Sequence, residues 1–145
     1  MAASGNRNDP YSAFNFLVEI EGVTVAGFSE CSGLNSEVDI IEYRNGNEDI
    51  APRKLPGLKR FSNIVLKRGY TDNKDLWLWY KTVLDGKTER RSGSIVLLNE
   101  AREPALRWNF REGWPCKLFG PSLNALVSKT AVEYLELAVE DIQME

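Results

Sequence analysis

The stretch from Phe14 to Glu21 has the sequence FNFLVEIE, and it holds the pattern that decides the fold. Phenylalanine, valine and isoleucine occupy every second position, and polar residues stand at most of the positions between them. Successive side chains of a β-strand point to opposite faces, so a period of two predicts a strand with one buried face. A second β-rich run, Val23 to Phe28, follows directly after Gly22. Such close spacing predicts a hairpin between the two runs.

Short runs of the same kind continue along the chain. The segment Leu34 to Tyr43 (LNSEVDIIEY) alternates an apolar face, which we expect to pack into the core, with an acidic one. Val132 to Ile142 fits both a strand face and a helical stripe, so periodicity leaves both alternatives open. Pro115 makes the stretch Gly113 to Lys117 irregular or bulged, because proline cannot donate to a sheet ladder. Further strands are predicted at Phe61–Lys67, Ser94–Leu98 and Ala105–Phe110.

One helix is predicted from about Asn73 to Leu84. Thr71-Asp72-Asn73 supplies capping residues before it, and Asp85-Gly86 provides a glycine stop after it. About seven short strands and one helix predict a mainly β fold, a β-sandwich or split β-barrel with one packed α-helix at about 73–84. A length of 145 residues favours a single domain, residues 1–145.

Two segments lack strand or helix character. Residues 1–10 are polar and end in Asp9-Pro10, which predicts a flexible N-terminal arm. Residues 45–57 (NGNEDIAPRKLPG) mix two prolines, two glycines and several charges. They are predicted to form one loop, longer than most connections, and such loops are commonly functional.

The composition excludes most catalytic classes. The chain has no histidine, which removes serine and cysteine triads and the commonest metal ligand. No glycine-rich phosphate or dinucleotide motif occurs. The net charge of −3 disfavours general attraction to nucleic acid or anionic lipid. We therefore predict no catalytic residue, no cofactor and no metal site, and we expect that the protein is not an enzyme.

The cysteines and the apolar segments indicate the compartment. Cys31 and Cys116 are too few for a secreted disulfide framework, so both are predicted to be free thiols. No apolar run reaches the roughly 18 residues that span a membrane, so no stable membrane insertion is expected. The first residues lack the apolar core of a secretory signal. We expect synthesis in the cytoplasm without a signal peptide.

The order of motifs along nearly the whole chain resembles a known family, the inner tube proteins of contractile phage tails and of extracellular contractile injection systems. GFSECSGL at 27–34, KLPG at 54–57 and the late W…GPSLNA pattern at 108–125 are the most specific motifs. The other matching segments are Asp9–Tyr11, Phe14–Phe16, Glu42–Arg44, Leu76–Tyr80 and Val132–Ile142.

This resemblance implies a structural subunit that forms hexameric rings, which stack head to tail into a hollow tube. A contractile sheath would surround the tube and drive it through the target envelope. The implied partners are copies of the chain itself, the sheath, a baseplate and spike hub, and a terminal cap. Protein cargo or DNA would pass through the lumen without sequence-specific binding. The resemblance also implies that Val132 to Ile142 is a strand and that the protein belongs to a phage tail or a released extracellular injection particle.

Two sets of residues are candidates for assembly roles. The loop has few apolar residues of its own to offset its ordering entropy, so we expect it to contact a neighbouring subunit. Its candidate residues are Asn45, Glu48, Asp49, Arg53, Lys54 and Leu55. The acidic face of the third strand is expected to meet water and to line the lumen, through Asn35, Glu37 and Asp39.

The alternative function is a non-catalytic β-sandwich module that binds a carbohydrate or a protein through exposed aromatic side chains. Four tryptophans are present. Trp77 and Trp79 lie about 200° apart around the predicted helix, so only one of them can face the core. The other is expected to contact a partner.

Overall fold

Nine strands and one helix form within residues 9–23, 27–47, 50–70 and 72–145, which are the residues that this computed structural model describes. The helix is α1 (Asp75–Leu84). The strands are β1 (Phe16–Ile20), β2 (Phe28–Ser32), β3 (Ser36–Tyr43), β4 (Arg53–Phe61), β5 (Ile64–Gly69), β6 (Arg91–Leu98), β7 (Pro104–Phe119), β8 (Val132–Ala138) and β9 (Asp141–Met144). The predicted mainly β fold with one helix is confirmed.

The long strand β7 belongs to two sheets. Its first part pairs with β6 and β9, and its last part pairs with β8. The first sheet therefore has the order β1-β6-β7-β9, and the second has the order β2-β5-β8-β7. All neighbours in both sheets are antiparallel. A register shift between Pro115 and Lys117 marks the bulge that the proline predicted.

One apolar core joins both sheets to the helix. Trp79 is 1% exposed, and its indole Nε1 donates a 2.7 Å hydrogen bond to the carbonyl oxygen of Glu89. Trp77 lies on the other side of α1 and is 45% exposed, as the helical spacing of the two tryptophans predicted. The core contains Val18, Ile20, Val23, Ile64, Leu66, Leu76, Trp79, Ile95, Phe110, Leu135 and Leu137.

The C-terminal segment, whose periodicity left two alternatives, is a pair of strands. Leu135 and Leu137 are fully buried on one face of β8, while Tyr134 and Glu136 alternate with them. After β8 the chain turns, and β9 joins the first sheet beside β7. The strand implied by the family resemblance is confirmed, although it is divided in two.

The hairpin predicted between Phe14–Glu21 and Val23–Phe28 falls partly on residues that the structure does not describe, so it stays a prediction. Ile20 and Val23 form one bridge around a tight turn, and residues 24–26 lie outside the described part of the chain. β1 pairs with β6 in the first sheet, and β2 pairs with β5 in the second. Alternation predicts that a segment is a strand, but its partner can be any other strand that completes the core.

The loop predicted at 45–57 is wrong over its last five residues, because residues 53–57 belong to β4. β4 pairs with β3, and these two strands form a separate sheet. Pro56 lies opposite Ile40, next to a register shift. A two-stranded sheet consists of edge strands only, and a proline is tolerated at such an edge. The predicted arm at 1–10 has residues 1–8 outside the described part of the chain, so it stays a prediction.

Candidate assembly surface

The β3–β4 hairpin, residues 36–61, carries the largest group of exposed apolar side chains on neighbouring strands. They are 44% to 72% exposed. An isolated two-stranded hairpin is marginally stable in water, and contiguous exposed apolar surface commonly marks an interaction site. The side chains are Val38, Ile40, Ile41, Tyr43, Leu55 and Leu58.

The strand register places these side chains on both faces of the hairpin. Val38 and Ile40 lie on one face, with Pro56 opposite Ile40. Ile41 and Tyr43 lie on the other face, with Leu55 opposite Ile41. The face of β3 that the sequence predicted to pack into the core, with Val38 and Ile40, is therefore exposed in the single chain. The apolar side chains on the opposite face of the hairpin are exposed as well.

The charged residues of the hairpin largely neutralise one another across the two strands. Glu37 lies opposite Arg60, and Glu42 lies opposite Lys54. A nitrogen of Arg60 donates a 3.0 Å hydrogen bond to Oδ2 of Asp39. Because both groups of that pair are substantially exposed, its contribution to stability is small, about 0–1 kcal/mol. These pairs leave the hairpin without a strong net charge.

The structure brings the two predicted candidate sets onto the same hairpin. Among the predicted loop residues, Arg53, Lys54 and Leu55 lie on β4, and Asn45 follows β3. The Tyr43 hydroxyl donates a 2.5 Å hydrogen bond to Oδ1 of Asn45. Glu48 and Asp49 lie outside the described residues.

The predicted lumen residues lie at the base of the same hairpin. Asn35 and Glu37 are exposed, and Asp39 is half-buried. Sequence reasoning assigned the contact role to charged residues and missed Val38, Ile40, Ile41 and Leu58. These four residues are apolar positions of the segments LNSEVDIIEY and KLPGL, so the sequence does mark them as candidates for burial. The pattern does not say which molecule covers them.

The described residues include at least two further apolar patches outside the hairpin. The outer side of α1 exposes Trp77, Leu78 and Leu84. The connection between β7 and β8 exposes Leu123 and Leu126, the latter to 94%. Three separate apolar patches on one small chain favour burial against other protein molecules.

A buried ion network fixes α1 to the second sheet. Arg68 on β5 donates from Nε to Oε1 of Glu133 at 2.6 Å and from Nη2 to Oδ1 of Asp75 at 2.5 Å. The Arg68 side chain is 6% exposed. Burial by itself would lower the pKa of Arg68, but its hydrogen bonds to Asp75 and Glu133 hold that pKa above its usual value. The guanidinium therefore stays charged, and it orients the start of the helix.

A cavity of about 480 Å³ opens beside β2 and contains the thiol of Cys31. Apolar and aromatic side chains such as Phe16, Ile95 and Trp108 line much of it. Both cysteines are free thiols, as predicted. Burial raises the pKa of Cys31 from 9.0 to about 11.

We expect the unfolding free energy to fall as pH rises from 9.0 towards about 11, by about 1–2 kcal/mol from this thiol. The folded chain holds the Cys31 proton more tightly than the unfolded chain, so the stabilisation is complete below the unfolded pKa and is lost above it. Urea unfolding at both ends of this range measures the fall. The Cys31→Ala variant is the control, and an equal fall in both proteins would contradict the assignment.

No cluster of three or more potential metal ligands occurs among the described residues. Within the same part of the chain, no helix has the length and apolar character needed to cross a membrane.

A family model described as T4-like virus tail tube protein gp19 matches residues 12–143, which is nearly the whole chain. The chain belongs to this tail tube protein family. A search of curated protein sequences gave no match to this chain.

Solved structures with the same fold come from contractile injection particles. This chain is 27% identical to a chain of the PVC sheath-tube complex in its extended state, an extracellular contractile injection system, with a TM-score of 0.87 over 100% of this chain and 97% of that one. It is 28% identical to a chain of the anti-feeding prophage cap, the AFP tube terminating cap, with a TM-score of 0.85 over 100% and 99% of the two chains.

A chain of the anti-feeding prophage baseplate shares the fold at 24% identity, with a TM-score of 0.84 over 96% of this chain and 97% of that chain. The family match and these likenesses confirm the predicted family and the main predicted function. The protein is a structural tube subunit of the kind found in contractile injection systems.

Proposed function

We propose that this protein assembles into hexameric rings, which stack head to tail into a hollow conduit driven through a target envelope by sheath contraction. The observation that carries this proposal is the β3–β4 hairpin, which pairs with no third strand among the described residues and exposes apolar side chains on both faces. A surface of this kind is stable in water only when another molecule covers it. The loop and strand residues Asn45, Arg53, Lys54 and Leu55 are proposed to contact a neighbouring subunit, together with Glu48 and Asp49.

The strand order supports ring closure. Each of the two large sheets has four strands with antiparallel neighbours, so its first and last strands run in opposite directions. Copies related by rotation about one axis can join such edges as a further antiparallel pair, and the alternation then continues around the ring. Closing a sheet removes the exposed edges that otherwise cause uncontrolled aggregation.

The proposed partners follow from the assemblies to which the matched structures belong, which are a sheath-tube complex, a baseplate and a terminating cap. We propose that this protein likewise contacts a sheath, a baseplate with a spike hub, and a cap. Its place is in a phage tail or a released injection particle. The function is mechanical, so the protein acts without enzymatic chemistry.

Asn35, Glu37 and Asp39 are proposed to border the lumen, where protein cargo or DNA passes without sequence-specific binding. They are polar, and they lie at the base of the hairpin, nearest to the two large sheets. An acidic lining repels DNA phosphates and disfavours tight binding of a passing chain.

Electron microscopy and size-exclusion chromatography of the purified protein test the assembly directly. We expect rings or tubes that elute far ahead of a 16.4 kDa chain. A protein that stays monomeric and is retained on a sugar resin would contradict the proposal and support the binding-module alternative.

A further inference from the structure

The apolar side chains of the β3–β4 hairpin form one patch on each face. Val38 and Ile40 are 48% and 64% exposed on the first face. Ile41 and Tyr43 are 51% and 49% exposed on the second face, beside Leu55. One partner placed against either face leaves the opposite patch in water.

The two faces differ in how the apolar part is distributed. On the second face, the base of the hairpin is polar because Glu37, Asp39 and Arg60 lie there, and the apolar side chains lie towards the tip. On the first face, Val38 and Ile40 lie in the middle of β3. A partner on the second face therefore covers the tip and leaves the base open to solvent.

The hairpin's charges indicate what kind of partner it takes. The cross-strand pairs Glu37 with Arg60 and Glu42 with Lys54 balance each other, so the hairpin offers no net charge to attract nucleic acid or anionic lipid. An uncharged, partly apolar protein surface is the complementary partner. The chain itself presents such surfaces on the outer side of α1 and between β7 and β8.

We propose that each β3–β4 hairpin lies between two other copies of the chain, one against each face, so that a single hairpin joins three subunits. This inference rests on the proposed tube assembly. In a stack of rings, a projecting hairpin meets one neighbour within the ring and another in the adjoining ring. The same element then couples ring closure to stacking.

Ile40→Lys and Ile41→Lys form a matched pair for the test, since the two residues are adjacent, chemically identical and on opposite faces. A lysine at either position places a charge inside a proposed contact. We expect each variant to keep the wild-type circular dichroism spectrum and melting temperature and to lose at least tenfold in tube yield by electron microscopy. Thr88→Lys, on an exposed turn, adds the same charge elsewhere and should assemble normally. Normal tubes from either isoleucine variant would overturn the inference.

Photo-crosslinking counts the neighbours of one hairpin. Ile40→Cys and Tyr43→Cys place a benzophenone maleimide on the first and second face, in a Cys31→Ala/Cys116→Ala background. A labelled, tagged subunit is diluted into a large excess of unlabelled wild-type protein before assembly. Each single-label variant should give a two-chain product, and the doubly labelled variant should give a three-chain product. A doubly labelled hairpin that gives only two-chain products in well-formed tubes would overturn the inference.

The unlabelled wild-type sample separates this inference from the proposed function. Wild-type protein that forms neither rings nor tubes contradicts the proposed function and the inference together. Wild-type tubes in which one face of the hairpin proves dispensable contradict the inference alone.

Discussion

Replacing Arg68 with methionine should lower the free energy of unfolding by about 3–5 kcal/mol. The guanidinium lies between the carboxylates of Glu133 and Asp75, and all three side chains are at most 14% exposed. Removing the cation leaves two buried carboxylates close together without the positive charge that balances them, which is far costlier than the loss of an exposed pair. Urea unfolding followed by circular dichroism measures the change.

Arg60→Met is the matched control, because it removes the same group from a pair with Asp39 at the surface. Its arginine side chain is 62% exposed, so we expect a loss of at most about 1 kcal/mol. The double variant Arg68→Met/Glu133→Leu should recover part of the lost stability, since it removes one of the two buried negative charges. Equal losses for Arg68→Met and Arg60→Met would contradict the role assigned to the buried network.

Gly33→Ala should destabilise the fold by at least about 2 kcal/mol. Gly33 connects β2 to β3 with φ at +90°, a region that side chains with a Cβ rarely adopt. A Cβ at this position would lie 1.9 Å from the carbonyl oxygen of Asn63, so the backbone itself would have to move. The serine hydroxyl of Ser62 also donates a 2.6 Å hydrogen bond to the Gly33 carbonyl oxygen, and any such movement strains this link to β4.

Two other glycines test separately the two causes of that loss, the positive φ and the clash of the added Cβ. Gly27 has φ at +83° but open space around it, so Gly27→Ala tests the backbone conformation without the clash. Gly46 has neither feature, and Gly46→Ala should be nearly neutral. We expect the losses to decrease from Gly33 to Gly27 to Gly46, as measured by urea unfolding. A Gly33→Ala protein as stable as Gly46→Ala would contradict this account of the β2–β3 connection.

Local patterns were sufficient to predict the helix and several of the strands. The alternation at Phe14–Glu21 predicted β1, and the apolar stripe after Asn73 predicted α1, which begins at Asp75. The pairing of strands was not predictable in the same way. β1 pairs with β6, more than 70 residues later in the chain, and nothing in the alternation of β1 specifies that partner.

The β3–β4 hairpin illustrates a second limit of local patterns. Pro56 and Gly57 favoured a loop, but a strand without an outer neighbour accommodates both residues. The periodicity of LNSEVDIIEY correctly separated two faces. It placed Val38 and Ile40 in a core, whereas the single chain leaves them exposed, because the chain that covers them in the proposed assembly is a different molecule.

A cryo-EM reconstruction of the assembled wild-type protein tests the account most directly. We expect stacked hexameric rings around an open channel, with Asn35, Glu37 and Asp39 bordering that channel. The exposed apolar side chains of the β3–β4 hairpin should be buried against neighbouring copies. Particles without a channel, or tubes in which the β3–β4 hairpins project freely into solvent, would contradict it.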